Sequence, residues 1–523
     1  MRKTNSNREA QSGAWVGGML LLAAAGAQAQ DVCVDLPGAS AFDPPVVAAP
    51  VRVSGFGQSP LSPEMASTPA GDGVVVYVDS AQEPPVLRAQ RFVAAQGSGL
   101  ALALPAVTPA APQTEPVANV AMAADGAVAI VHGDAAVPLA PTVRLYRFDA
   151  VAELRLGDPI AVPHSSGNHE GPDVAMDLSG AHVVAWSARD TELPGGEGFD
   201  VYFRRFSAQG QPLDATDVRA NLSTAGAQGV VAVARSPADG RFVLAWFSSN
   251  AGQVDVLARL FSSDGAPLSA EILVAADVGA DQSLELDVAM DASGAFIVAY
   301  TQEMPLEQKT LAPRTERSAV HYLRFAPDGS PRDQARSPLA TPVFSGTSRP
   351  RVSMDAFGQF SIAWRAGATN PAYRRFDADG SPLDAEDRSP RLPNGGFVGN
   401  ADVLYTGLAI AHDVDGDLGL VIEAELFGEP QLRYDYLPSA RPRDLALSIQ
   451  DLPDPVAVGQ RMEYLLRVDN QASPQAPFGL QALDAAVDDT PCVRVRSLLP
   501  AQGQFDGAEL PEGWLQLGSG SGR

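Results

Sequence analysis

Lysine and cysteine are almost missing from this chain. Lys3 and Lys309 are the only lysines in 523 residues, and 62 acidic residues against 37 basic ones leave a formal net charge of −25. A surface of that sign repels phosphate backbones and anionic lipid heads, which need clustered cations, so nucleic acid and direct membrane-surface binding are set aside. Cys33 and Cys492 are the only cysteines. Neither has a histidine or second cysteine nearby, which argues against metal or thiol chemistry; whether they pair with each other is not decided by spacing in sequence. Beyond the first thirty residues no stretch approaches the roughly 18 apolar residues that would cross a bilayer, so no membrane insertion is expected. The chain also lacks a Gly-x-Ser-x-Gly elbow, a His-Glu-x-x-His pair and a phosphate-cradling glycine loop. An active site assembled from distant segments would leave no such local mark.

What the chain has is turn-forming and apolar residues. With 48 glycines, 43 prolines and 45% hydrophobic content, the composition suits a core-forming, turn-rich all-β protein. Residues 1–30 read as a secretory leader: Arg2, Lys3 and Arg8 at the start, an apolar run through Trp15, Val16 and Met19 to Leu22, then small residues at Ala27 and Ala29. The expected mature product is exported: secreted, periplasmic or on the cell surface.

Internal repetition organises the middle. PDVAMDLSGAHVVAWS from Pro172, LDVAMDASGAFIVAYT from Leu286 and PRVSMDAFGQFSIAWR from Pro350 share one plan: an alternating strand, a tight turn ending in glycine, and a second strand closing on an aromatic. Aligned on that glycine the copies give Gly71, Gly126, Gly180, Gly240, Gly294, Gly358 and Gly416. Six residues after each stand Tyr77, His132, Trp186, Trp246, Tyr300, Trp364 and Ile422. A third strand ends near Arg-Phe, as at Arg205-Phe206, Arg324-Phe325 and Arg375-Phe376, before a turn in which Gly210, Gly265, Gly329 or Gly380 supplies a positive φ. A fourth apolar stretch, such as Ile272 to Ala275, completes the unit. Four strands per copy predict a seven-bladed β-propeller over residues 61–438, with six or eight blades as alternatives. Residues 31–60, including Val51 to Val53, are a possible ring-closing strand.

The unit resembles a β-propeller repeat of many exported bacterial proteins, with the pattern VAMDxxGxxVVAW followed by RxFxxxGxPL. That resemblance implies a fold and no single activity. The copies lack the Trp-Asp pair of WD40 blades, the paired glycines of kelch blades and the Ser-x-Asp-x-Gly box of sialidases. After Pro438 the repeat stops. DLALSIQDLPDPVAVGQRMEYLLRVDN, Asp444 to Asn470, resembles the opening of an immunoglobulin-like conserved-repeat domain of bacterial surface proteins. Residues 439–523 are therefore expected to form a partial immunoglobulin-like β-sandwich acting as a spacer, truncated before its last strands or completed by another chain.

Length varies mainly between the second and third strands, where the step from anchor residue to aromatic runs from 12 to 25 residues. These loops share one face of a propeller with the blade-to-blade connections. That rim, with Ala188 to Gly198 and Gln302 to Ser318 as its longest loops, is the expected place for a protein or glycan partner. The local clusters carry plain readings. His164, His169, Glu170 and Asp173 could compose a zinc site but read as a solvated loop. Asp413, Asp415 and Asp417 resemble half a calcium loop and read as an acidic turn. Trp186, Trp246, Tyr300 and Trp364 read as core, not as sugar-stacking platforms, and Arg205, Arg324 and Arg375 as structural partners of a neighbouring blade's acid. No catalytic residue, cofactor or metal ligand is assigned. The leading expectation is an exported non-enzymatic binding or scaffolding protein. The alternative is a propeller hydrolase acting on a polysaccharide or glycoconjugate, and a third is a surface-structure component with no small ligand. Carboxylates from different blades converging on the channel would favour the hydrolase; a channel lined by alanine and valine would count against it.

Overall fold

The computed structural model describes residues 18–24, 30–35, 445–452, 462–470, 492–497, 507–509 and 514–517, and residues 51–437 except 69–70, 83–84, 93–98, 103–117, 135–141, 150–155, 164–167, 190–197, 280–283, 304–317, 336–346, 367–369, 391–404, 414–415 and 427–428. Every regular element among them is a strand. No helix there is long and apolar enough to cross a membrane. The chain divides into two compact units, Val47–Ala440 and a second made of Met1–Val46 with Arg441–Arg523.

In Val47–Ala440 the strands form seven antiparallel sheets that follow one another along the chain, a propeller-like all-β arrangement. Their first strands are Pro60–Ser67, Ala118–Met122, Asn168–Met176, Ala227–Arg235, Leu286–Met290, Thr347–Met354 and Tyr405–His412. Each touches the next, and Tyr405–His412 touches Pro60–Ser67, so the cycle closes. Sheets five and six have three strands among the described residues and the others four. The fourth strand of the seventh sheet comes from the start of the unit. Val51 and Arg52 pair with Tyr434 and Arg433, Val53 N–H donates to the Leu432 carbonyl at 2.9 Å, and Leu432 N–H donates to Ser54 Oγ at 3.0 Å.

The amino-acid pattern explains the ring. Second strands such as GVVVYVD (Gly73–Asp79) and HVVAWSAR (His182–Arg189) are mostly apolar and buried at nearly every position, as in strands covered on both faces. Seven hydrophobic clusters lie between the seven sheets, each shared by two consecutive ones. The last combines Val53, Met65, Val75 and Tyr77 with Ala409, Val421 and Leu432. Anchor aromatics face the preceding sheet: Trp186 packs with Val131 and Val143, Trp246 with Phe203, and Trp364 with Tyr322. All three tryptophans are fully buried, which makes them core and leaves no ring face for a sugar. His132 occupies the same position in the second sheet and stacks on Tyr146.

Turn chemistry follows the repeat. All seven anchor glycines have positive φ. In the third sheet the Asp177 carboxylate accepts N–H bonds from Ser179 and Ala181, and Asp291 does the same for Ser293 and Ala295. The third-strand arginines require a correction. Arg205 pairs with Asp214 at 2.5 Å, Arg324 with Asp333 at 2.5 Å and Arg375 with Asp384 at 2.9 Å. Each acid belongs to the arginine's own sheet, on the turn after its third strand. The neighbouring sheet contributes carbonyls instead, Ser263 to Arg205 and Ala378 to Arg324. A Cβ on Gly265 would lie 2.8 Å from the Arg205 side chain, so that turn needs glycine for space as well as for its φ of 83°.

The second unit contains two small antiparallel sheets. In one, Gly18–Ala24 lies between Met462–Asn470 and Gly507–Glu509, with Leu445–Leu452 on the outside; in the other, Gln30–Asp35 lies between Cys492–Ser497 and Trp514–Leu517. In the whole chain both sheets thus take one inner strand from the N-terminal segment, including the apolar stretch read as the leader. Cys33 stands opposite Arg494 and Cys492 opposite Asp35, which makes the two cysteines diagonal neighbours on adjacent strands.

Closure makes the first strand of the unit as important as any core strand. Val53→Asp, which places a charge where Val53 is 2% exposed, is expected to lower unfolding stability by about 3 kcal/mol or more. Leu268→Asp, at a side chain 53% exposed, should stay within about 0.5 kcal/mol. Urea denaturation of both variants checks this, and equal shifts would show that the ring does not depend on the Val51–Ser54 seam.

Candidate functional site

Where the seven first strands converge, they leave a cavity of about 460 Å³. Every sheet lines it: Glu64, Asn119, Asp173, Ala232, Asp287, Arg351 and Leu408 are examples, one from each. Six of these, with Ala409 in the seventh sheet, form a single tier. Glu64, Asn119, Asp173, Ala232, Asp287, Arg351 and Ala409 pair with Val76, Val131, Ala185, Ala245, Ala299, Ala363 and Val421, the same register position on each second strand. Equivalent positions in a closed ring face one axis. Seven charged residues among those described thus line the channel, Glu64, Glu170, Asp173, Glu285, Asp287, Arg349 and Arg351, beside Ala227, Val230, Val231 and Ala232.

Just before the tier, five of the first strands shift register, between Leu61 and Glu64, Glu170 and Asp173, Gly229 and Ala232, Ser348 and Arg351, and Tyr405 and Leu408. Such bulges bend a strand and re-aim its side chains. Within four of them a cavity-lining residue has positive φ: Ser62 at 49°, Gly171 at 56°, Val230 at 53° and Arg349 at 54°. For β-branched Val230 this conformation is costly, on the order of 1–3 kcal/mol, and the flanking pairs hold it there.

The tier residues are tied to each other and to adjacent strands. Asp173 Oδ1 accepts from Val174 N–H and Oδ2 from Val233 N–H in the next sheet, at 2.8 and 2.7 Å. Asp287 repeats this with Val288 and Val352, both at 2.8 Å. Asn119 Nδ2 donates to the Pro172 carbonyl at 2.9 Å. Arg351 reaches across the seventh sheet, where the tier residue is the small Ala409, and its Nη2 donates to Glu64 Oε1 at 2.5 Å. Arg351 Nε has no hydrogen-bond partner. One position upstream in the alternating pattern, Arg349 N–H donates to Glu285 Oε2, and its Nε lies 3.7 Å from Glu285 Oε1.

These surroundings displace the titrations. Burial raises the Glu64 carboxyl to about 7 against the pull of Arg351, with the charge of Asp287 adding to the rise. Burial likewise raises Asp173 to about 7, opposed by its two N–H donors and reinforced by Asp287 and Glu64. Asp287 is raised by burial, with Arg351 and two backbone N–H groups working the other way. Burial opposes the charge of Arg351, but Glu64, Asp287 and Glu285 more than offset it and hold the guanidinium charged. Carboxyls from the first, third and fifth sheets thus act on one another across a cavity beside an arginine, the setting in which proton donors and acceptors separate.

Of the residues singled out from sequence, Glu170 and Asp173 line this cavity. His169 does not join them as a ligand; it is buried with its ring edge-on to Trp186, and His164 lies outside the described residues. No group of three or more metal-binding side chains occurs among the described residues. Asp413 and Asp417 close a turn, with Asp417 N–H donating to Asp413 Oδ1 at 2.8 Å and Tyr436 Oη donating to Asp417; Asp415 lies outside the described residues. So does most of both long rim loops, residues 190–197 and 304–317. The cavity lining includes Ser187 and Phe199, which flank the first of these loops. Glu64, Glu285, Asp287, Arg349 and Arg351 were not singled out from sequence.

No family model matches the chain, and no curated protein does. Among solved structures it is similar to an α-L-arabinofuranosidase from Fusarium graminearum, at 11% identity over 75% of this chain and 98% of that one, with a TM-score of 0.39. It is also similar to the polysaccharide lyase Uly1, at 9% identity over 79% and 99% with a TM-score of 0.44. Hydrazine synthase from Kuenenia stuttgartiensis is similar at 11% identity over 73% and 96%, again with a TM-score of 0.44. At such values the likeness bears on no residue of the cavity.

The titration of Asp173 gives a test of its surroundings. Folded, it holds its proton up to about pH 7; unfolded, it loses it near the ordinary carboxyl value of about 4. Between those limits the folded chain binds the extra proton, so this term favours folding at low pH and is lost as pH rises through 7. The difference in Tm between the native protein and Asp173→Asn should therefore shift against the native protein from about pH 4.5 to 7.5 and level off above. A difference independent of pH would mean that Asp173 ionises as an exposed carboxyl does.

Proposed function

We propose that Val47–Ala440 is a seven-bladed β-propeller enzyme that hydrolyses a glycosidic bond of a polysaccharide or glycoconjugate in its channel cavity. One observation carries this reading: carboxyls from separate sheets, Glu64 and Asp287, meet in one cavity with Arg351 between them. Glycoside hydrolysis needs two such groups in opposite protonation states. Glu64, raised to about 7, keeps a proton to give to the departing glycosidic oxygen. Asp287, held by two N–H donors and facing Arg351, is the group that has to act ionised on the other side of the bond; Arg351 and those donors oppose the burial that raises it. As the C–O bond breaks, its electron pair stays on the leaving oxygen, which takes the Glu64 proton. Water then supplies the new bond to the anomeric carbon and returns a proton to the pair.

Binding without turnover, on the variable-loop rim, was the leading expectation from sequence. In this reading the glycan is bound and cleaved in the cavity, whose lining includes Ser187 and Phe199 beside the first rim loop. Export by the leader would place the enzyme where polymers too large to enter a cell are found, and the C-terminal immunoglobulin-like module would act as its spacer.

Release of reducing ends from a panel of neutral, acidic and amino polysaccharides is the direct test. Glu64→Gln should lower cleavage of whichever polymer is a substrate by roughly 10² to 10⁴-fold while leaving the far-ultraviolet circular dichroism unchanged. No cleavage of any polymer by the native chain, or full activity in Glu64→Gln, would overturn the assignment.

A further inference from the structure

We infer that the third-sheet wall of this cavity is a subsite for a protonated amine, so that the glycan it takes carries free amino sugars. The inference deepens the glycan-cleaving reading and rests on it for the kind of polymer, but it is carried by separate residues.

Charge balance comes first. Among the described residues, five acids line the cavity, Glu64, Glu170, Asp173, Glu285 and Asp287, and two cations, Arg349 and Arg351. Arg351 pairs with Glu64 in the first sheet and Arg349 with Glu285 in the fifth. Asp173 forms no ion pair among the described residues; its oxygens meet two backbone N–H groups, and the charges that act on it most are those of Asp287 and Glu64. Burial is the main reason its carboxyl resists ionisation and the charges of Asp287 and Glu64 add to it; an ammonium in contact with it is the ligand group that would offset both. A carboxylated or sulfated sugar would add to the crowding. The net charge of −25 works in the same direction, drawing cations toward the channel mouth and turning anionic polymers away.

A second observation on the same wall is independent of charge. Ser187 is 4% exposed, lines the cavity, and its Oγ has no hydrogen-bond partner. It stands directly opposite Glu170 in the strand pairing, with Asp173 opposite Ala185 two residues along. The space in front of it is kept open by Gly229, where a Cβ would come to 3.7 Å from Ser187 Oγ. A buried hydroxyl left unsatisfied costs about 1–3 kcal/mol unless a ligand completes it. Oγ can accept from an ammonium or donate to a sugar hydroxyl, so Asp173 and Ser187 together offer a charge and a direction. N-acetylation of the sugar removes the charge and adds bulk at the same atom, which makes it the discriminating change.

Isothermal titration of the full chain with chitosan oligosaccharides, their N-acetylated counterparts and cello-oligosaccharides of equal length tests this. The amine form should bind at least about tenfold tighter than the other two at low salt, with the gap narrowing as salt is raised. Ser187→Ala and Asp173→Asn should each shrink the preference severalfold, while Leu268→Ala, at an exposed side chain outside the cavity lining, keeps it. If Asp173→Asn fails to fold, Ser187→Ala carries the comparison. Equal affinity for the three ligands, or tighter binding of the N-acetylated form, would overturn the amine subsite. Preferential amine binding without cleavage would overturn the hydrolase reading and leave the subsite standing; cleavage of a neutral glycan without amine preference would do the reverse.

Discussion

A sheet with two apolar faces cannot be the last in a row. Every second strand in Val47–Ala440 is of that kind, so each sheet needs a neighbour on both sides and the row is stable only when its end meets its beginning. The seventh cluster supplies that meeting, with Tyr77 and Val75 of the first sheet against Val421 and Leu432 of the seventh, and Val53 wedged beside them. The backbone bonds of Val51 and Val53 to the seventh sheet fix the register of the join. The chain's start and end within the unit are thereby locked into one sheet, and the other six interfaces inherit their geometry from it.

Closure also creates the cavity. Seven first strands side by side around an axis bring register-equivalent positions face to face, and apolar packing cannot continue there because each sheet has already used its two faces on its neighbours. Polar side chains at this tier gain a second use. Asp173, Asp287 and Asn119 bridge to the following first strand, so they hold the ring together at the axis while lining the space they enclose. This dual duty explains how a cluster of acids persists with raised protonation midpoints. Part of the cost of burying each is offset by backbone donors that would otherwise face the cavity unpaired.

The scaffold was legible from residues whose reasons are local. Gly71 to Gly416 are readable because a positive φ in a tight turn asks for glycine, and Trp186, Trp246 and Trp364 because a fixed step from that glycine returns them to the same buried face. The cavity was not legible for an equally physical reason. In PDVAMD, LDVAMD and PRVSMD the second residue looks like the ordinary outward member of an alternating strand. Only the closed ring turns that outward side inward. Glu64 was hidden further, since its copy departs from the pattern around PEMAS, and Arg349 acts through a bulge that no composition signals. The aspartates were visible as repeat positions; their convergence was not.

The arginines show how such convergence becomes specific. In the third strands, an arginine and an aspartate of the same sheet recur three times as one unit, and the neighbour adds carbonyls to Arg205 and Arg324, so these charges serve the interface. Arg351 breaks that plan: it stands at a tier position where other copies carry an acid, an amide or alanine, and its partner Glu64 lies beyond the adjacent sheet. A repeat built for structure alone gains nothing from a cation and an anion reaching across the axis. Placed there, Arg351 lies within the field of Glu64, Glu285 and Asp287 and opposes the burial that raises Glu64 and Asp287, while the third-sheet wall holds Asp173, which forms no ion pair among the described residues. Divergence at a few equivalent positions of one repeated strand thus gives a symmetric ring an asymmetric interior, which is what a site that must hold one orientation of a ligand requires.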